Sequence, residues 1–182
     1  MSVAETTEQL IPVGTWKSDP IHSSVGFAVK HHAVATFRGA FTDFEATLTG
    51  GEEPGLTGVV KAASVAVDDK NLQGHLQSPD FFDVQRYPEL RFESTELRRD
   101  GDGFVADAEL TLKGATRPVT VTGTIAGPIS DPYGGERLGL TLETTVDRTA
   151  FGIDWNAPLP GGGLAVSNDV RLTAELELVK EQ

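Results

Sequence analysis

The chain has 182 residues, a formal net charge of -12 and no cysteine. This length suits one domain with a substantial core, and the absence of cysteine excludes disulfides, thiolate metal sites and a cysteine nucleophile. The excess of 27 acidic over 15 basic residues disfavours a nucleic-acid partner, because a phosphate backbone would be repelled. No apolar run reaches the roughly 18 residues typical of a transmembrane helix, so we expect no integral membrane segment.

The N-terminal segment from Met1 to Leu10 has neither the basic region nor the apolar region of a secretory signal. We therefore expect residues 1–14 to form a flexible N-terminus, residues 15–180 to form a single domain, and the protein to be cytoplasmic.

Alternation of apolar and polar residues predicts eight strands, each with one dry face and one wet face. The pattern is clearest in the last of them, where Asn168 interrupts the apolar side. The predicted strands are Ser24 to Lys30, Phe41 to Leu48, Gly58 to Val67, Leu90 to Leu97, Phe104 to Lys113, Val119 to Ile125, Leu138 to Glu143 and Val166 to Leu178.

Only the region between the third and fourth strands predicts helix. Asp68 to Leu76 is one candidate, and Ser78 with Pro79 has the pattern of an N-cap followed by the first residue of a second short helix. Strands joined by polar turns with so few helices favour antiparallel pairing, as a sandwich or an up-and-down barrel. Closure into a barrel would remove exposed edges, and eight strands leave room for a small ligand.

The connection after the first helix contains two adjacent aromatic residues, Phe81 and Phe82. Neighbouring residues in a turn point in different directions, so both are not expected in one core layer. We predict that one covers the barrel mouth and the other belongs to the core. Trp155, in a later loop, is interpreted as a loop anchor in preference to part of a cavity entrance.

Catalytic and metal-binding patterns are weak. The four histidines, His22, His31, His32 and His75, show neither HExxH nor an i, i+4 pair, and no nucleophile elbow or phosphate-binding glycine loop is present. We expect His22 and His75 to anchor turns through hydrogen bonds to the backbone, and His31 or His32 to lie near the barrel rim. The sequence thus predicts no catalytic residue, no metal site and no cofactor.

A set of short motifs occurs in order along the chain: Trp16 to Asp19 with His22 and Ser23, Gly26 and Phe27, Val29 to His31, Phe37 to Gly39 before Phe41, His75 to Phe82, Tyr87 and Pro88, Phe92 to Ser94, Leu110 to Gly114 with Thr116, Arg148 before Phe151 and Gly152, and Val166 with Ser167. In this order the motifs resemble the YceI-like family of lipocalin-like, polyisoprenoid-binding proteins. The resemblance spans Thr15 to Glu177 and implies an all-β, eight-stranded antiparallel lipocalin-like barrel with one or two short helices around a long apolar cavity. It also allows a homodimer. Many members are secreted to the periplasm, a location that the missing signal does not predict here.

With that family in view, the inward-facing apolar residues become candidates for contact with a lipid chain, although the same residues are also what any barrel core needs. The candidate cavity residues are Phe27, Val29, Phe41, Phe44, Phe81, Phe82, Phe92, Leu110, Leu112, Leu140, Leu142 and Leu172. The candidates for the polar head of the ligand are His31, Asn168 and Arg148, although an Arg beside Asp147 is also typical of a structural ion pair.

We expect the protein to bind a long-chain amphiphilic lipid, a polyisoprenoid or an isoprenoid quinone, without catalysis, for transport, storage or sequestration. Two alternatives stay open at this point. One is an enzyme that acts on a hydrophobic substrate at the barrel mouth, and the other is a structural or stress-response module with a solid core.

Overall fold

The computed structural model describes residues 10–182, which form a closed, eight-stranded antiparallel barrel, as the sequence predicts. Three of the eight barrel strands are each interrupted and consist of two consecutive segments: β1 with β2, β3 with β4, and β5 with β6. The segments are β1 (Gly14–Ser18), β2 (Ser24–His31), β3 (Ala35–Phe41), β4 (Phe44–Gly50), β5 (Gly55–Lys61), β6 (Val65–Ala66), β7 (Glu89–Asp100), β8 (Gly103–Leu112), β9 (Ala115–Ser130), β10 (Glu136–Asp147) and β11 (Val166–Lys180).

The long last strand closes the barrel. One side of β11 pairs with β10, and the other side pairs first with β2 and then, near its end, with β1. Trp16 lies opposite Lys180 in this final pairing, so the first and last strands meet and the sheet has no open seam there. The sequence does not predict β1 or β3. The reason is that β1 has only five residues and that β3 contains Arg38 and Gly39, which weaken a strand pattern.

The prediction that residues 1–14 form a flexible N-terminus is wrong for residues 10–14. Ile11 is fully buried, its carbonyl accepts a hydrogen bond from the Gly51 amide, and β1 already begins at Gly14. Residues 10–14 therefore belong to the packed domain, because an apolar side chain buried on the barrel end holds them in place. The remainder of the prediction, residues 1–9, lies outside the described part.

One α-helix, α1 (Lys70–Gln77), follows β6, and the Asp69 carboxylate caps it by accepting from the Leu72 amide at 2.9 Å. The prediction that Ser78 starts a second helix is wrong. Ser78 ends α1, because its hydroxyl donates to the carbonyl of His75 at 2.6 Å and so satisfies the last turn. Short 3-10 turns cover Ala62–Ser64 and Arg148–Phe151, and no helix in residues 10–182 is long and apolar enough to cross a bilayer.

The barrel interior has two apolar clusters that divide it along its length. The first, at the end where β1 closes the barrel, contains the fully buried side chains of Trp16, Leu48, Leu138 and Leu178. The second, toward α1, is richer in aromatic rings and contains Phe27, Phe41, Phe81 and Phe151. We refer to the end of the barrel that contains the first cluster as the closed end, and to the end that contains the second cluster as the open end.

Candidate functional site

Two adjoining apolar cavities lie inside the barrel. The inner cavity has a volume of about 150 Å³, and the outer cavity, at the open end beneath α1, has a volume of about 590 Å³. Phe41, Leu90 and Leu172 line both of them, so the two share a common wall of side chains. The outer cavity falls within the size range of small-molecule sites in proteins.

The structure brings most of the candidate cavity residues together around this interior. Phe44, Phe92, Leu110 and Leu142 line the inner cavity. Phe27, Val29, Phe81, Phe82 and Leu112 line the outer cavity, while Phe41 and Leu172 line both. Their contact with a ligand stays a prediction, but the geometry that it requires is present.

Leu140 is the exception among the apolar candidates. It is 1% exposed, packs in the closed-end cluster and lines neither interior cavity. Leu140 and its neighbour on the same face, Leu138, lie where Trp16 and Leu178 already fill the lumen. The sequence pattern identifies the inward face of a strand but not the depth at which the interior opens.

The wall of the outer cavity depends on a close approach between β2 and β3. Phe27 pairs with Gly39 across these strands, and a Cβ atom at position 39 would lie 2.4 Å from the Cζ of the Phe27 ring. Glycine therefore lets the ring lie across β3. From there the ring meets Phe37, Phe41 and Phe82 at centroid distances of 5.8 to 6.3 Å.

The two adjacent aromatics after α1 have different surroundings, although both line the outer cavity. Phe82 packs inward against Phe41 and Phe27, with ring centroids 5.4 and 6.3 Å away. Phe81 packs beside His75 and Trp155, at 4.9 and 5.5 Å. Phe81 thus lies with the segments that cover the mouth, and Phe82 lies with the aromatic cluster of the wall.

Trp155 and several further lining residues were not among the candidates. Trp155 lines the outer cavity and meets the His75 ring at 4.8 Å, so its interpretation as a loop anchor alone is wrong. Val146 and Val170 continue the inward alternation of β10 and β11, a signal that the sequence contains. Leu72 and Leu76 come from α1, and nothing in a local pattern shows that a helix covers this end.

Arg148 is buried, with 4% of its surface exposed, and lines the outer cavity. Its guanidinium donates to four backbone carbonyls, those of Ile153, Trp155, Val166 and Ser167, at 2.8 to 3.3 Å. Burial lowers the pKa of this group below its usual value, while the charges of Asp154 and Asp147 act in the opposite direction. Most of its donors are therefore committed to holding the loop before β11, which leaves little capacity for a ligand head.

The other two head-group candidates differ in position. Asn168 is exposed at the irregularity where β11 shifts its register with β2, and it lines neither interior cavity. The expected role of Asn168 is therefore unsupported, because an exposed residue that lines neither cavity is not placed to meet the head of a ligand there. His31 lines the rim of the outer cavity, is exposed, and stacks on His32 at a centroid distance of 3.7 Å.

A separate polar cluster lies outside the interior cavities. The Arg137 guanidinium donates to Asp19 at 2.9 Å and to Glu177 at 3.0 Å, and His22 Nδ1 lies 2.8 Å from the same Asp19 oxygen. The hydrogen bond from His22 holds the pKa of Asp19 well below its usual range, and the Asp19 carboxylate raises the pKa of His22. These carboxylate oxygens already bind a guanidinium, so we interpret the group as an ion-pair network. The prediction that His22 bonds to a backbone group is thus wrong, because its partner is the carboxylate of Asp19.

Comparison with known proteins identifies the relatives of this barrel. A family model described as a YceI-like domain matches residues 16–178. The protein named YceI in Escherichia coli O17:K52:H18 is 34% identical over 136 residues, which cover 72% of this chain and 71% of that protein. A UPF0312 protein of Photorhabdus laumondii is 34% identical over 122 residues, but the match covers only 64% of that relative's length and 65% of this chain.

Solved structures show the same architecture. Burkholderia cenocepacia BcnA superposes with a TM-score of 0.75 at 22% identity, covering 90% of this chain and 99% of that one. A domain from Saccharophagus degradans, described as a polyisoprenoid-binding domain implicated in plant cell wall breakdown, has a TM-score of 0.65 at 11% identity, with 93% and 100% coverage. At these identities the likeness establishes the fold alone.

Proposed function

The chain belongs to the YceI-like family, and from this we propose that it binds a long-chain amphiphilic lipid of the polyisoprenoid or isoprenoid-quinone class. The observation that carries the proposal is the outer cavity of about 590 Å³, enclosed by apolar and aromatic side chains. The description of the Saccharophagus domain as polyisoprenoid-binding supports this ligand class.

The energetics of such a site favour a long chain. Burial of each CH₂ group contributes roughly 0.8 kcal/mol, so about ten buried carbons supply on the order of 8 kcal/mol, which corresponds to roughly micromolar affinity before ordering costs. A bilayer solvates the same chain about as well. Selectivity must therefore come from the shape of the cavity and from the few polar groups near the head of the ligand.

We propose a non-catalytic role in transport, storage or sequestration, without a cofactor. The net charge of -12 disfavours prolonged contact with an anionic membrane surface, which suits a carrier better than a membrane-docked protein. A cytoplasmic location and a homodimer are further predictions; cell fractionation and sedimentation test them. The alternative of a solid-core module predicts a filled barrel, whereas cavities of about 150 and 590 Å³ are present.

The proposal is tested by extraction of natively purified protein with organic solvent, followed by mass spectrometry. We expect a long-chain lipid in near-stoichiometric amount. Recovery of protein that repeatedly contains no such species would contradict the proposal.

A matched pair of variants localises the ligand to the cavity. Val29 lines the outer cavity, whereas Ala28, its neighbour in β2, does not, since successive side chains of a strand alternate between its faces. Val29→Trp should place an indole ring in the path of the ligand chain and reduce the extracted lipid severalfold, while Ala28→Trp should leave the amount of lipid unchanged. Equal loss of lipid in both variants, with the fold intact, would place the ligand elsewhere.

A further inference from the structure

The polar groups that line the outer cavity differ in how far they are available to a ligand. Lys30, His31, His32 and Thr36 are exposed at the rim, and the buried Arg148 is committed to four carbonyls. Trp155 and His75 are the remaining lining residues with polar side-chain atoms, and of the two only His75 can accept a hydrogen bond, because an indole N–H only donates. His75 is half-buried, with 33% of its side chain exposed. It therefore presents polar ring atoms within an otherwise apolar wall.

The His75 ring is held on several sides. The rings of Phe81 and Trp155 meet it edge to face at 4.9 and 4.8 Å, and its Nε2 lies 3.0 Å from the Asp80 carboxylate. A carboxylate only accepts hydrogen bonds, so Nε2 must carry the proton in this contact. In the neutral imidazole, Nδ1 is then left as an acceptor, and within residues 10–182 no donor reaches it.

We propose that Nδ1 of His75 is the head-group acceptor of the cavity and that Asp80 acts as a positioning residue that fixes the required tautomer. Such an acceptor recognises a ligand whose head donates a hydrogen bond. The inference rests on the proposed function and makes it more specific: the preferred ligand is a long-chain prenyl alcohol, and the acceptor-only head of a quinone or an ether is disfavoured.

The surroundings of His75 differ from those of the polar residues at the rim. Phe81 and Trp155 cover part of the His75 ring, and a hydrogen bond in partly apolar surroundings discriminates more strongly than one at an exposed rim. His31, although it also lines the cavity, is exposed and lacks this enclosure. His22, which lines neither interior cavity, provides the control position, because the same change from histidine to phenylalanine is then made away from the ligand.

The experiment compares geranylgeraniol with its methyl ether, which has the same chain but no donor. The delipidated full-length protein is titrated with each probe, with tryptophan emission as the signal, because Trp155 lines the cavity. One neutral hydrogen bond corresponds to an affinity ratio of about five- to tenfold in favour of the alcohol. We expect this ratio in the wild type, a ratio near one in His75→Phe, which keeps an aromatic ring beside Trp155, and the wild-type ratio in the control His22→Phe.

A second variant keeps the test decisive if His75→Phe fails to fold. Asp80 has 55% of its side chain exposed, so Asp80→Ala should fold, and loss of the fixed tautomer should lower the ratio. Equal affinity of the wild type for both probes, or an unchanged ratio in His75→Phe or Asp80→Ala, would overturn the inference while leaving lipid binding intact. Failure of the wild type to bind either probe would overturn the proposed function and the inference together.

Discussion

The buried side chain of Arg148 helps to hold the path of the chain around the cavity mouth. Its guanidinium bonds to carbonyls on both arms of the loop between Ile153 and Ser167, so one residue joins the start of that loop to the start of β11. The arrangement positions Trp155, whose carbonyl is one of the four acceptors. A residue chosen from sequence as a ligand contact thus acts mainly on the scaffold of the site.

We predict that Arg148→Met lowers the free energy of unfolding by about 3 kcal/mol, because several partly buried carbonyls lose their donors at once. Arg38→Met is the control: Arg38 is exposed on β3, and its replacement should change stability by less than about 0.5 kcal/mol. Urea denaturation at neutral pH measures both. Similar stabilities for the two variants would contradict the role of Arg148.

The cluster around His22 makes stability depend on pH. Asp19 raises the pKa of His22, so the folded state binds this proton more tightly than the unfolded state does. The stabilisation is therefore complete below the ordinary value of 6.5 and is lost as the pH rises through the folded pKa. Asp19 has its own pKa well below the usual range and stays charged throughout this window.

We accordingly predict that His22→Ala lowers the melting temperature more at about pH 5.5 than at about pH 8.5. Thermal unfolding of the wild type and the variant at both pH values measures this difference. A difference that is the same at both values, or larger at alkaline pH, would show that the ion pair of His22 does not contribute in the folded state.

At the scale of the element, the cover of the open end combines α1 with the turn that follows it. The helix is short and contains Gly74, where a side chain has room because no heavy atom would lie within 4 Å of a Cβ atom at this position. Gly152, after the second 3-10 turn, has the same open space but a φ of +73°. Substitutions at these two glycines therefore test helix propensity and backbone strain independently of side-chain clashes.

We predict opposite effects for the same added methyl group at these positions. Gly74→Ala should raise the free energy of unfolding by about 0.5–1 kcal/mol, since alanine favours the helix and glycine does not. Gly152→Ala should lower it by about 1–2 kcal/mol, since the left-handed backbone disfavours a Cβ atom. Chemical denaturation tests both, and a change of the same sign in the two variants would contradict this account.

The elements were predictable to different degrees. The long strands β8, β10 and β11 follow strict alternation because one face of each is buried in the lumen. The sequence predicts neither β1 nor β3, and it predicts Phe41 in the following strand, whereas a break at residues 42–43 divides β3 from β4. Ser78 ends the helix instead of starting one, which the sequence does not show because a serine followed by a proline is compatible with either end of a helix.

At the scale of the whole molecule, the barrel has a packed closed end and an open end that contains most of the empty volume. Such a cavity is costly to keep empty when its walls are apolar, since the lining side chains lose contacts on one side. A bound chain restores those contacts. Binding of the ligand should therefore raise the stability of the protein.

We predict that removal of the bound lipid lowers the melting temperature and that its return restores it. At a ligand concentration of about 100 times Kd, binding contributes about 2.7 kcal/mol, which corresponds to about 5–10 °C for a protein of this size. Differential scanning calorimetry of native, delipidated and reloaded protein measures the change. Identical melting temperatures in the three forms would contradict occupation of the cavity.

Sequence alone determined the class of fold, the inward faces of the long strands and the resemblance to lipid-binding barrels, because alternation and ordered motifs are local properties of the chain. It placed Phe27, Phe41, Phe82 and Leu172 correctly toward the interior. Tertiary structure decided which inward residues meet empty space: Leu140 does not, and Trp155 does. It also decided that most donors of Arg148 are already used and that Nδ1 of His75 is not, because the partners of a polar group come from distant parts of the chain.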